Sequence, residues 1–146
     1  MTNLAQNKKA LFDYEILEKM DAGIILTGAE VKACRENKIN LKGSYITCLG
    51  NRVFAEKIHI SPYQKSNQKD YDPIKRRELL LTKKEIKKIC EELNEKGISC
   101  VPLEMFLKNK FIKIKIALCR GKKKYDKRED LKKKSIDREL RKRMKI

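Results

Sequence analysis

Acid–base or nucleophilic chemistry in this chain would have to run through His59, the only histidine in 146 residues. A Ser-His-Asp site has no other base to use. His59 lies in VFAEKIHISPY at a strand end, where a packed, hydrogen-bonded histidine is expected instead. There is neither a GxxxxGK[ST] phosphate loop nor an HExxH pair. Glu91 and Glu92 fall in the polar stretch of a helix and need no catalytic role. The cysteines are Cys34, Cys48, Cys90, Cys100 and Cys119, odd in number and without a CxxC pair. They predict no zinc ribbon and no disulfide framework, and read as small buried hydrophobes of a reducing compartment. No catalytic residue, metal or cofactor is expected, and the chain does not read as an enzyme.

The chemistry that the side chains do offer is recognition of a polyanion. Lysine and arginine number 37 against 20 acidic residues, a net charge of +17. A positive potential of several kT over so small a body favours nucleic acid, bound by phosphate neutralisation and counterion release. An anionic membrane would call for a helix with a strong apolar face, and no run reaches the roughly 18 apolar residues of a membrane helix. MTNLAQNKKALF carries no continuous apolar segment, so no secretory leader is expected. A soluble cytoplasmic protein follows. Tyr14, Tyr45, Tyr63, Tyr71 and Tyr125 are interleaved with lysines and suit base stacking. Tyr14 and Tyr45, inside apolar stretches, suit core packing equally well. Tyr125, between GKKK and DKRE, reads as an exposed contact residue.

Charge divides the chain. The 27 residues from Arg120 carry a net +9, more than half the charge on less than a fifth of the length. Apolar residues there are too sparse for a core, so a body over 1–120 and a tail over 121–146, disordered alone, are predicted. The body reads as mostly strand. Ser44 to Leu49 and Arg52 to Ile60 flank the hairpin signal Gly50-Asn51. Phe111 to Cys119 alternates, with Ile112, Ile114, Ile116 and Leu118 on one face and Lys113 and Lys115 on the other. That second face is either an RNA platform or an ordinary solvated one. Gly28 precedes AEVKACRE, of helical composition. Thr82 with Glu85 makes a capping box for a helix carrying Ile86, Ile89, Cys90 and Leu93 on one face, with Gly97 placed for a C-terminal cap. Ser61 to Arg77 reads as a long polar loop. Strands around one well-marked helix predict a mainly β fold, an OB-like small barrel with flanking helices.

Several blocks occur in a familiar order: NKKALFDYEILEKMDAGIILTGAEVKACR from Asn7, NLKGSY, HISPY, DPIKRRELLLTKKEI, KGISCVPLEMFLKN, and GKKKYDKRE from Gly121. Together they resemble the SsrA-binding protein family, also called small protein B, over nearly the whole length. The resemblance implies an OB-fold barrel that is a monomer when free and binds the tRNA-like domain of transfer-messenger RNA. It implies an adaptor for rescue of stalled ribosomes, with alanylated transfer-messenger RNA, elongation factor Tu and the small subunit as partners. The tail would enter the empty mRNA channel, helical on the ribosome. A structural ribosomal protein or a general RNA-binding translation factor is the alternative. Positions matching the family's RNA-contacting motifs are Asn7, Tyr14, Asp21, Glu30, Lys32, Leu80 and Lys113. Lys32 and Lys113 suit phosphates. Asp21 and Glu30 suit a base edge, a 2′-OH or the orientation of a neighbouring lysine. Leu80 suits either covering a base or core packing. In the tail, Gly121, Lys122, Lys123, Tyr125, Asp126, Lys127 and Arg128 match the decoding-centre segment. Asp21 stands where the family usually has Glu, and Lys110 where it commonly has Gly.

Overall fold

A computed structural model describes residues 2–63 and 70–121. The order is β1 (Thr2–Gln6), α1 (Lys8–Asp13), β2 (Tyr14–Ile24), α2 (Gly28–Arg35), β3 (Ile39–Asn40), β4 (Tyr45–Leu49), β5 (Arg52–Glu56), β6 (His59–Ile60), β7 (Arg77–Leu80), α3 (Lys83–Leu93), β8 (Ile98–Lys108) and β9 (Phe111–Gly121). Seven strands form one antiparallel sheet in the order β1-β8-β9-β2-β7-β5-β4, and β3 pairs with β6. The sheet curls until β4 packs on β8, with α3 against both. This is the expected mainly β barrel with helices on it.

Alternation along β9 works as the sequence implies. Ile114, Ile116 and Leu118 face a core shared with Ile24, Ile46, Val53, Leu79, Met105 and Ile89. Each such aliphatic side chain gains about 1.5–3 kcal/mol on burial. The opposite face of β9 is solvated over only part of its length. Ala117 and Cys119 share it with the lysines yet lie buried with Ala10, Val101 and Leu103 in a second, smaller cluster. α1 supplies Ala10 to that cluster. At six residues it is too short to show a helical period in the sequence.

α3 begins at the expected capping box, both halves of which form. Its C-cap is Asn94, and Gly97, at φ 84°, instead turns the chain into β8. Gly50 makes the β4–β5 hairpin with φ 62°. The β8–β9 turn places its left-handed φ on Asn109, so Lys110 fits without a glycine's freedom. The strand predicted from Arg52 to Ile60 breaks at Lys57, whose φ is 64°, and restarts as β6. On β6, Ile60 turns inward and His59 outward, so His59 is exposed and the expectation of a packed histidine is corrected.

Cysteine chemistry also departs from the sequence reading. Cys34, Cys100 and Cys119 are buried thiols as expected, whereas Cys48 and Cys90 form a disulfide. They stand 42 residues apart and meet because β4 and α3 pack together. Spacing along the chain carries no trace of that approach. The predicted Ser61–Arg77 loop is described at both ends, and its last residue, Arg77, belongs to β7.

Candidate nucleic-acid interface

Register assembles the first group of expected residues. Gly23 of β2 lies opposite both Lys113 of β9 and Leu80 of β7, and Asp21 lies opposite Lys115. Opposed residues of an antiparallel pair share a face, so Asp21, Leu80 and Lys113 occupy neighbouring positions on the outer face of the sheet. With strands about 4.8 Å apart, Leu80 and Lys113 flank Gly23 at a backbone spacing of about 10 Å. Leu80 is 59% exposed, which decides against core packing. A Cβ on Gly23 would stand 3.2 Å from Leu80 Cβ, so the glycine lets Leu80 lie over the sheet.

Charge on this face is only partly neutralised. Lys115 Nζ is 3.5 Å from Glu104 Oε1 and 5.9 Å from the Phe106 ring centroid, and Asn3 Nδ2 donates to Glu104 Oε2 at 3.2 Å. Lys113 has no carboxylate partner within 4 Å among the described residues. Sequence reasoning overlooked two apolar neighbours. Phe111, 70% exposed, precedes Lys113 by two residues on the same face, and exposed Ile25 continues the face beyond Gly23. It also overlooked Phe54, whose ring has the Arg52 and Arg76 guanidiniums each 5.2 Å from its centroid. Those arginines are held by Glu78 and Glu56. The alternation Arg52-Val53-Phe54 was visible, but its partners come from another strand.

α2 positions a second group. Thr27 caps the helix: the Glu30 backbone N–H donates to Thr27 Oγ1 at 3.2 Å, and the Thr27 N–H donates to Glu30 Oε1 at 3.0 Å. Glu30 is 1% exposed. Its other oxygen accepts from Arg77 Nε at 2.6 Å, the Tyr71 hydroxyl, whose nearer acceptor is the Ile60 carbonyl at 2.9 Å, lies 3.3 Å from it, and Lys75 Nζ stands 3.3 Å from Oε1. Arg77 also donates to the carbonyls of Ile58, Lys75 and Pro73 and to Tyr71 Oη. Burial pushes the Glu30 carboxyl up, but the Thr27 N–H, Arg77 and Lys75 outweigh it and hold the pKa below the ordinary value. Burial, with the Glu30 charge, pushes Tyr71 up. Glu30 therefore has no oxygen to offer a base edge or a 2′-OH. Of the roles expected for it, the geometry leaves the orientation of a lysine, Lys75. Lys32 lies exposed two residues along α2, with Nζ 5.5 Å from the Tyr63 ring centroid.

Asn7 and Tyr14 belong to neither group. Asn7 is buried and caps α1; its Oδ1 accepts from the Ala10 N–H, and Nδ2 donates to the carbonyls of Leu41 and Pro102. Both amide hydrogens are taken within the protein, which gives Asn7 a structural role. Tyr14 pairs with Gly121, at the far end of the β2–β9 ladder from the Gly23–Lys113 pair, about 30 Å away along the strand. It lines an open cleft of about 550 Å³ with Lys9, Lys42 and Tyr45. Gly121 ends β9; Lys122, Lys123, Tyr125, Asp126, Lys127 and Arg128 lie outside the described residues. Among the described residues no group of three or more His, Cys, Asp or Glu side chains is placed to hold a metal.

A small antiparallel barrel with lysine, arginine and exposed apolar groups on one sheet face is of the class that binds nucleic acid through phosphates and bases. The chain belongs to the SmpB protein family, whose model matches residues 4–146. It is 48% identical over 137 residues to the SsrA-binding protein of Latilactobacillus sakei, covering 94% of this chain and 88% of that one. Identity to the SsrA-binding protein of Listeria monocytogenes serovar 1/2a is 47%, covering 94% and 89%. Its fold is similar to a chain in the solved structure described as "tmRNA-SmpB: a journey to the center of the bacterial ribosome". There the TM-score is 0.70 at 34% identity, covering 87% of this chain and 93% of that one.

Proposed function

We propose that this chain is a non-catalytic RNA-binding adaptor of trans-translation, which binds the tRNA-like domain of transfer-messenger RNA and brings it to stalled ribosomes. Membership of the SmpB family over residues 4–146 carries the reading. The outer sheet face supports it: Lys113 suits a phosphate while Leu80 covers a base, and Asp21 suits a base edge or a 2′-OH. Lys32 adds a second phosphate contact. Glu30 and Asn7 act by holding the surface in place.

The tail from Gly121 supplies the second half of the mechanism. Its lysines and Arg128 meet rRNA phosphates in the decoding centre, Tyr125 stacks on a nucleobase, and the segment folds as a helix in the vacant mRNA channel. Elongation factor Tu with alanylated transfer-messenger RNA is the delivering partner, the free protein is a monomer, and the site of action is the cytoplasm. The test offers purified full chain a tRNA-like fragment and an unrelated duplex of equal length across a salt series. A clear preference for the tRNA shape is expected, with a log–log salt slope of several units. Equal affinity for the two RNAs overturns the reading.

A further inference from the structure

The sheet ends at β1 and β4, and where β4 packs on β8 no backbone ladder joins them. α3 lies over that seam in contact with both strands. Cys48 on β4 and Cys90 on the apolar side of α3 are joined there, with Cα atoms 5.6 Å apart. That separation lies in the range a disulfide spans without moving backbone. The bond therefore links the free edge of the barrel to the helix that covers its opening.

Surroundings separate this pair from the other cysteines. Burial pushes the Cys34 thiol up to about 12 and the Cys119 thiol up to about 11, and raises Cys100 as well. Those three remain protonated and inert at neutral pH. Cys90, in contrast, lines an open cleft of about 670 Å³ between the hairpin tip, Gly50 and Asn51, and α3. Lys83, Lys87 and Glu91 line the same cleft, with Lys87 Nζ 4.0 Å from Glu91 Oε1, so Lys83 is left to attract an anionic reagent. The open form is provided for too. The Gly50 carbonyl oxygen is 3.5 Å from Cys48 Sγ, a ready acceptor for the thiol proton once the bond is reduced.

We propose that Cys48 and Cys90 form a reversible thiol–disulfide exchange site that takes a low-molecular-weight disulfide as co-substrate and, when oxidised, clamps the barrel seam. The Cys90 thiolate attacks one sulfur of the reagent, forms a mixed disulfide and releases the first small thiolate. The Cys48 thiolate then attacks the Cys90 sulfur, closes the protein bond and releases the second. The protein loses two electrons and two protons, and the reagent leaves as two thiols. A dithiol reverses both steps. Clamping restrains the hairpin of β4 and β5 against α3. The face carrying Asp21, Leu80 and Lys113 lies on β2, β7 and β9, outside the clamped elements.

The full chain is equilibrated with glutathione disulfide or with dithiothreitol, then examined by peptide mass mapping and amide hydrogen exchange. Expected are a single linked Cys48–Cys90 peptide on oxidation, exchange at least tenfold slower across residues 45–56, and a tRNA-like fragment bound within twofold in both states. Cys90→Ser abolishes the redox difference in exchange. Should that variant fail to fold, Cys48→Ala gives the same reading. A persistent glutathione adduct on either cysteine, a bond to any other cysteine, equal exchange in both states, or a tenfold change in RNA affinity overturns the proposal.

Discussion

Replacing Arg77 by methionine tests the buried network behind the basic surface. Arg77 is 2% exposed, and all five of its N–H donors are used inside the protein. Methionine keeps the aliphatic stem and removes the guanidinium. The carbonyls of Ile58, Pro73 and Lys75 lose a donor, and the Glu30 carboxylate keeps Thr27, Tyr71 and the partly exposed Lys75. Removing one partner of a buried ion pair costs about 3–5 kcal/mol. With unfolding entropy of roughly 2.1 cal/mol/K per residue over roughly 115 described residues, Tm falls by roughly 12–20 °C. The pH dependence gives a sharper signature. In the native protein the pKa of Glu30 is depressed, so its contribution is full above the unfolded value, near 4.3, and is lost as pH falls through the folded one. Without Arg77 its hydrogen bond and its charge no longer hold the carboxyl down against burial, and the folded pKa rises. A raised carboxyl stabilises below the unfolded value and loses that contribution as pH rises through the folded value. The cost of Arg77→Met is therefore largest at neutral pH and smaller near pH 4.5. Urea unfolding followed by circular dichroism at pH 4.5 and 7.5 measures both. Equal destabilisation at the two pH values, or a loss below about 1 kcal/mol at pH 7.5, refutes the reasoning.

Leu80→Ala leaves stability within about 0.5 kcal/mol because the side chain is exposed, and weakens binding to a tRNA-like fragment roughly tenfold, read by filter binding. Lys113→Ala lowers affinity and reduces the salt slope by about 1, and an unchanged slope means that Lys113 meets no phosphate. Deleting residues after Arg120 leaves affinity for transfer-messenger RNA nearly intact but abolishes tagging on stalled ribosomes; equal loss of affinity contradicts the division into body and tail. Tyr125→Ala impairs peptidyl transfer to the tRNA-like domain, whereas a large drop in thermal midpoint would mark Tyr125 as core.

Local signals were legible where one residue type forces one backbone state. The Thr82–Glu85 box starts α3, Gly50 turns the hairpin, and the alternation in Phe111–Cys119 marks a strand with one apolar face. What the sequence could not show depends on which strands become neighbours. Phe54 gains its cationic neighbours through the sheet order, which sets Glu78 of β7 opposite it and Arg76, just before that strand, over its ring. Ala117 and Cys119 extended a seemingly solvated face until α1 covered them. The meeting of Cys48 and Cys90 belongs to the same kind: a contact set by sheet order, at a separation with no periodicity to reveal it.

Asn7 and Glu30 show how far a motif can be carried without geometry. Both sit in blocks associated with RNA contact, and both have their polar atoms fully engaged within the protein. A buried carboxylate held by an arginine is costly to replace whether or not RNA is present, so Glu30 would be required at its position with no contact to RNA at all. Its reach outward is through Lys75, whose ammonium rests 3.3 Å from Glu30 and 5.8 Å from the Tyr71 ring centroid. The requirement on Glu30 is thus a requirement on where Lys75 and the segment leading into β7 come to rest. Leu80 stands three residues after Arg77 on that strand, so the same anchor that fixes the buried pair also fixes the register of the exposed face.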